Sequence, residues 1–227
     1  MECLAVIPAR GGSTGLPRKN LTMVGGVPLV VRAVRSALAA SHITRTVVST
    51  EDEEIANVAR DADAEVVMRP AELADDIIMP DFAVLHVLET LVSEEDYHPD
   101  LVCFIQCTSS LTRPDDLDRG IETLLEQEAD CLLSVFPTHI FLWRRTADGF
   151  AESVGHDSNV MRKGRQELEP RYRETGAFYV MRTDGFIAAR NRLFGRVTLF
   201  EMPPERSVDI DTPLDLEFAE ILFSRNK

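Results

Sequence analysis

Short apolar runs alternate with segments of helical period along the first 136 residues. The run "CLAVI" at 3–7 is bounded by Pro8 and a Gly-rich stretch, as a buried parallel strand would be. From Pro28 to Ala40 the apolar spacing is helical, and Pro28 suits a first helical turn. "TRTVVST" at 44–50 reads as a second strand, and "EDEEIANVARDA" after it as a helix whose acidic start suits the dipole. Strands are expected again at 64–68, 101–106 and 131–136, with helices over Pro80–Val92 and Pro114–Gln127 between them. This alternation predicts a doubly wound α/β sheet, mainly parallel.

The pattern breaks after Phe136. Residues 138–173 mix polar and aromatic positions without a clean period, which fits an excursion that packs on another subunit. Regularity returns with "GAFYVM" at 176–181, a helix over Thr183–Arg190, a strand near Arg196–Phe200 and a last helix from Pro213. No repeat or low-complexity linker interrupts the chain, so residues 1–227 are expected to form a single domain.

Charge narrows the partners. A net charge of −14 disfavours nucleic acid and anionic membranes, and an anionic substrate would need a local cationic pocket. Lysine occurs only as Lys19, Lys163 and Lys227, so most positive charge is arginine, the better bidentate partner for phosphate and carboxylate. The four cysteines show no CxxC pair and no His at zinc-like spacing, so they read as core thiols of a reducing compartment. The chain runs directly into a strand, and no apolar run approaches 18 residues; a cytoplasmic location is expected.

The candidate chemistry lies where ligands of open α/β sheets sit, at the carboxyl ends of strands. After the first strand comes "PARGGSTGLPRKN" at 8–20. Its Gly11, Gly12 and Gly15 can bring backbone N–H groups close to phosphate oxygens, and Arg10, Arg18 and Lys19 add cations. The loop is neither GxGxxG nor GxxxxGK[ST], which argues against a redox enzyme using NAD. Gln106 ends the fourth strand, where it can reach a base or a sugar. Asp209 and Asp211 stand at i and i+2, so on a strand both face one side, a spacing that suits Mg²⁺. Asp211 before Thr212-Pro213 also fits a helix cap.

Five ordered segments carry a family resemblance: "IPARGGSTGLPRKN" at 7–20, "RPAELADD" at 69–76, "QCTSSL" at 106–111, "RQELEPRYRETGAFYV" at 165–180 and "SVDIDTPLDL" at 207–216. Together they resemble the acylneuraminate cytidylyltransferases. The resemblance implies a Rossmann-like fold of the nucleotide-diphospho-sugar transferase type. It also implies a homodimer that packs or exchanges the 138–173 excursion. The implied reaction is attack of the anomeric hydroxyl of a sialic-like (nonulosonic) acid on the α-phosphate of CTP, with Mg²⁺ and pyrophosphate release. By the same resemblance Arg10 and Lys19 are catalytic and hold the phosphates. Gly11, Gly12, Ser13, Asn20, Arg69 and Gln106 bind the nucleotide. Gln106, Arg165, Gln166 and Tyr179 meet the sugar, although Tyr179 in "GAFYVM" equally fits a core aromatic. Asp209 and Asp211 hold the metal, and Asp209 helps deprotonate the hydroxyl.

Several positions depart from the family pattern. Thr14 stands in place of a lysine, Cys107 and Ser110 in place of prolines, Pro80 in place of a serine and Thr175 in place of an asparagine. The segment "THIFLWRR" at 138–145 lacks the family's His-Pro-x-Lys, and His139 and His156 receive no role. The acidic sugar therefore stays open among N-acetylneuraminate, legionaminate, pseudaminate and other nonulosonates. GTP with a hexosamine derivative, CTP with 3-deoxyoctulosonate, and a regulator that binds without turnover remain as alternatives.

Overall fold

The computed structural model describes residues 1–13, 15–75, 77–162 and 164–225, with Arg165 described by its backbone. Eleven strands and six helices follow in chain order: β1 (Cys3–Pro8), the small hairpin β2 (Met23–Val24) and β3 (Val27–Pro28), α1 (Leu29–Ala39), β4 (Arg45–Thr50), α2 (Glu53–Arg60), β5 (Glu65–Met68), α3 (Asp81–Glu95), β6 (Leu101–Ile105), α4 (Pro114–Glu126), β7 (Cys131–Thr138), β8 (Leu142–Arg145), β9 (Ala151–Val154), β10 (Arg171–Arg182), α5 (Thr183–Ala189), β11 (Val197–Glu201) and α6 (Pro213–Arg225).

Seven strands form one sheet in the order β11-β7-β10-β6-β1-β4-β5. Neighbours pair parallel except around β10, which runs antiparallel to both β6 and β7. The period-2 side-chain alternation splits the core between the two faces. On β1, Cys3, Ala5 and Ile7 join one apolar cluster, with α1, α2 and α4, while Leu4 and Val6 join the other, with α3. On β6, Cys103 and Ile105 take the first face, and Val102 and Phe104 the second. Every side chain from Cys3 to Ile7 is fully buried, which is why this run is apolar without alternation. All four cysteines are unpaired and buried. Among the described residues no helix is long and apolar enough to cross a membrane.

The stretch from 138 to 173 is more ordered than its composition suggests. β7 and β10 extend into it as a two-stranded arm, pairing Thr138 with Arg171 and Phe136 with Arg173. Beyond the arm, β8 and β9 form an antiparallel hairpin that pairs with no other strand among the described residues. Leu142, Trp143, Phe150 and Val154 are exposed on or beside it. Residues 171–174 lack apolar periodicity because this end of β10 takes its strand form from pairing with β7, not from burial.

Candidate functional site

The carboxyl ends of β6, β1, β4 and β5 lie side by side, and the loops that leave them enclose a cavity of about 370 Å³. Backbone hydrogen bonds continue the ladder past the strand ends: Ala9 donates to Ser49, Arg69 to Thr50 and Gln106 to the carbonyl of Ala177. These bonds fix the loop roots, and with them the first side chains after each strand. Arg10, Lys19, Asn20, Arg69, Gln106, Asp209 and Asp211, all singled out from the sequence, line this one cavity. Pro8, Phe104, Cys107, Thr108, Pro80 and part of segment 73–78 complete its wall.

The loop after β1 folds back on itself. Asn20 is buried and its amide donates to the carbonyl of Arg10 at 2.9 Å. Arg18 adopts a left-handed backbone, φ 55°, and turns its guanidinium out to Asp52 and Glu54. It therefore does not line the cavity. Asp52 also caps α2 by accepting from the Ile55 amide at 3.0 Å, and the Arg18 contact holds its carboxyl below the usual range. Gly11 must be small, since a Cβ there would lie 2.5 Å from Oδ2 of Asp52. Its N–H donates to Glu51 at 2.6 Å instead of standing open for an anion. Gly12 and Ser13 stand in the same loop outside the cavity lining, and a Cβ on Gly12 would meet nothing within 4 Å. Thr14 lies outside the described residues, as do Lys163 and Lys227.

On the opposite wall, the Ile210 amide donates to the carbonyl of Thr108 at 3.1 Å and presents Asp209 and Asp211 to the cavity. One carboxylate oxygen of Asp209, Oδ1, is buried without a partner. Burial, aided by the charge of Asp211, raises the Asp209 carboxyl above its ordinary range, against a hydrogen bond from Thr108 and the nearby Lys19. Asp211 accepts from Nζ of Lys19 at 2.8 Å. It is not the cap of α6: Thr212 and Asp215 exchange the capping hydrogen bonds, with Thr212 N donating to Asp215 at 2.8 Å. Among the described residues no group of three or more His, Cys, Asp or Glu could hold a metal. An unmatched buried carboxylate oxygen and a second carboxylate two residues on do fit a hard divalent ion that draws its other ligands from water and phosphate.

Gly176 sits in the irregularity where the β10–β7 register shifts, at φ +73°. A Cβ there would lie 2.7 Å from Oε1 of Gln106 and 3.8 Å from Oδ2 of Asp209, so glycine leaves room for both. Thr175 beside it shares a buried 2.6 Å hydrogen bond with Ser134. Burial pushes the Cys107 thiol up to about 12, which keeps it inert.

Of the expected sugar-side residues, Gln106 lines the cavity, whereas Tyr179 and Gln166 do not. Tyr179 is buried in the sheet, its hydroxyl bonded to Glu174 and its ring stacked on Phe104 at 5.5 Å between centroids. Phe104, which stacks on it, does line the cavity. Gln166 is exposed in a short turn of the excursion, and the side chain of Arg165 lies outside the described residues. His139 and His156 line a separate small cavity of the excursion, where Phe141 and Trp143 meet His156 edge-on.

Glu51 escapes a reading by motif, although it follows a strand end. Its carboxylate accepts from Nε and Nη2 of Arg69 at 3.1 and 2.9 Å as well as from Gly11. Thr108 and Phe104 were also unmarked, and the rule that ligands gather at strand ends is the signal that points to all three.

The sequence profile of the cytidylyltransferase family matches residues 4–224. The chain belongs to this family. N-acylneuraminate cytidylyltransferase A of Danio rerio is 34% identical over 221 residues, covering 95% of this chain and 49% of that protein. The chain thus spans about half the length of that curated relative. Pseudaminic acid cytidylyltransferase of Campylobacter jejuni is 30% identical over 228 residues, covering 100% of this chain and 98% of its own. A CMP:2-keto-3-deoxy-manno-octonic acid synthetase solved with CTP superposes with a TM-score of 0.74 over the whole of both chains, at 16% identity, a likeness of fold.

Proposed function

We propose that this chain couples CTP to a nonulosonic acid, releasing pyrophosphate and leaving the sugar joined to CMP through its anomeric oxygen. The observation that carries the reading is the convergence of Arg10, Lys19, Arg69, Gln106 and the Asp209–Asp211 pair on one cavity at the strand ends. Arg10 and Lys19 face the triphosphate, and Asn20 holds the loop that bears them. Arg69 and Gln106 meet the nucleoside.

The anomeric oxygen forms a bond to the α-phosphorus as the bond to the pyrophosphate oxygen breaks. Asp209 would take the hydroxyl proton, and burial, by raising its carboxyl, strengthens it as a base. Asp209 and Asp211 would hold Mg²⁺, which when bound neutralises phosphate charge. The rest of the catalysis is alignment and fixed charge.

Gln106 also borders the sugar, with Tyr179 setting the floor beneath it through Phe104. Arg165 and Gln166 meet the acid through a dimer. The exposed apolar hairpin β8–β9 supports a homodimer in which residues 138–173 of one subunit cap the cavity of the next. The free buried thiols support a cytoplasmic location.

The test is pyrophosphate release from CTP with N-acetylneuraminate, legionaminate and pseudaminate in turn. Turnover with one of them, abolished in Asp209→Ala, is expected. No turnover with any of the three, in the presence of Mg²⁺, overturns the reading.

A further inference from the structure

Glu51 ties the loop after β1 to Arg69, which lines the cavity. One carboxylate oxygen accepts from the Gly11 amide at 2.6 Å, at the root of the loop after β1. The other accepts from Nε and Nη2 of Arg69 at 3.1 and 2.9 Å, after β5. The Arg69 side chain is 3% exposed and that of Glu51 18%. A guanidinium has five donors in a rigid fork, so Glu51 engages one edge and leaves the remainder for the cavity that Arg69 lines. A desolvated pair is weak as a source of stability, and well-packed apolar residues serve stability as well. Its place at the edge of a ligand-sized cleft, with Arg69 in the lining and Glu51 behind it, therefore points to geometry.

We propose that Glu51 is a positioning residue for the nucleotide: it holds the Gly11 turn and the Arg69 fork at a fixed separation. This rests on the cytidylyltransferase reading above. A ligand that spans the cleft then meets the phosphate-side loop and the nucleoside-side arginine in one register. Because Glu51 cancels the charge of Arg69, the arginine acts as a directional donor to an uncharged group. The triphosphate is left to Arg10 and Lys19. Glu51 touches no reacting atom, so its effect falls on nucleotide binding and not on the chemical step.

Glu51→Gln tests this with little change of shape. Gly11 and Arg69 both present donors, and an amide offers only one acceptor, so one donor is left facing an NH₂ group. The full chain is assayed by pyrophosphate release, with CTP and the best sugar acceptor varied in turn. The KM for CTP is expected to rise about tenfold, the scale of one buried donor left unmatched. The kcat and the sugar KM are expected to stay within about twofold, since neither senses uniform nucleotide binding. Arg69→Lys supplies the second arm. Because the two side chains share one contact, the double variant should raise the CTP KM by less than the product of the single effects.

An unchanged CTP KM in Glu51→Gln overturns the proposal, as does an equal rise in the sugar KM or strict multiplicativity in the double variant. A wild-type protein that fails to bind CTP in calorimetry sinks the nucleotide reading itself. Binding by the wild type with equal binding by the variant sinks only the role of Glu51.

Discussion

Asp209→Asn should stabilise the ligand-free protein while abolishing turnover. Oδ1 of Asp209 is buried without a partner, and burial together with Asp211 disfavours its charge. Asn keeps a polar atom there but carries no charge, and relief of a disfavoured charge in this partly exposed residue is worth about 1 kcal/mol. For a chain of this size that corresponds to about 2–4 °C in Tm. The pH sign follows from the raised carboxyl. The folded protein binds this proton more tightly than the unfolded chain, so the wild type loses this increment as pH rises through the folded value. The advantage of Asn is therefore full at neutral pH and fades in acid. Saturating CTP with Mg²⁺ should invert the order, because a ligand at 100 times its Kd adds about 2.7 kcal/mol to a protein that binds it. Scanning calorimetry of both proteins, with and without CTP and Mg²⁺, provides the measurement. A ligand-free Asn variant that melts lower than wild type would refute the reasoning, since the charge of Asp209 would then have been stabilised in the native state.

Gly176→Ala forces a Cβ to 2.7 Å from Gln106 in a left-handed backbone; a cost of about 1–2 kcal/mol and a raised CTP KM are expected in melting and kinetic assays. Asp52→Ala removes the cap of α2, for about 1 kcal/mol in urea unfolding at pH 7. The Asp52 carboxyl is lowered in the fold, so its contribution is present above about pH 4 and is lost as pH falls through the folded value. Trp143→Glu places a charge on the exposed hairpin and should shift the protein from dimer to monomer in sedimentation, with little loss of Tm; a monomeric wild type would refute that assignment.

The six helices and most sheet strands can be read from residue pattern because burial dictates it. A strand covered on both faces, such as β1, has no solvent side and reads as a continuous apolar run. The reversed direction of β10 is not legible, since strand polarity depends on where the preceding arm returns the chain. Tyr179 shows the same limit. Its place in "GAFYVM" marks a strand, but the choice between cleft and core depends on pairing with Phe104. Asp211 was ambiguous between cap and ligand because Thr212 and Asp215 can make a cap without it, as they do here. The acidic run at 51–54 reads as the start of a helix, which is true of Asp52 to Glu54. Glu51 instead accepts from Gly11 and Arg69, partners far from it in sequence, so its role depends on tertiary placement.

Pairing at the cleft also decides how an anion can enter a molecule of net charge −14. Lys19 is engaged by Asp211, Arg69 by Glu51, and Arg18 by Asp52 and Glu54. These pairs differ in what they cost to break. Asp211 is 65% exposed, and such a pair is worth about 0–1 kcal/mol, so Lys19 can exchange it readily for a phosphate. The Arg69–Glu51 pair is desolvated, and removing one partner of such a pair costs about 3–5 kcal/mol, so it persists when a ligand binds. Lys19 is therefore the mobile cation and Arg69 the fixed one. A ligand that releases Lys19 leaves Asp211 without its counter-charge next to Asp209, two carboxylates then needing a cation. On the function proposed above, polyphosphate and a divalent ion would favour each other's binding at this rim, a coupling that follows from which ion pair is exposed and which is buried.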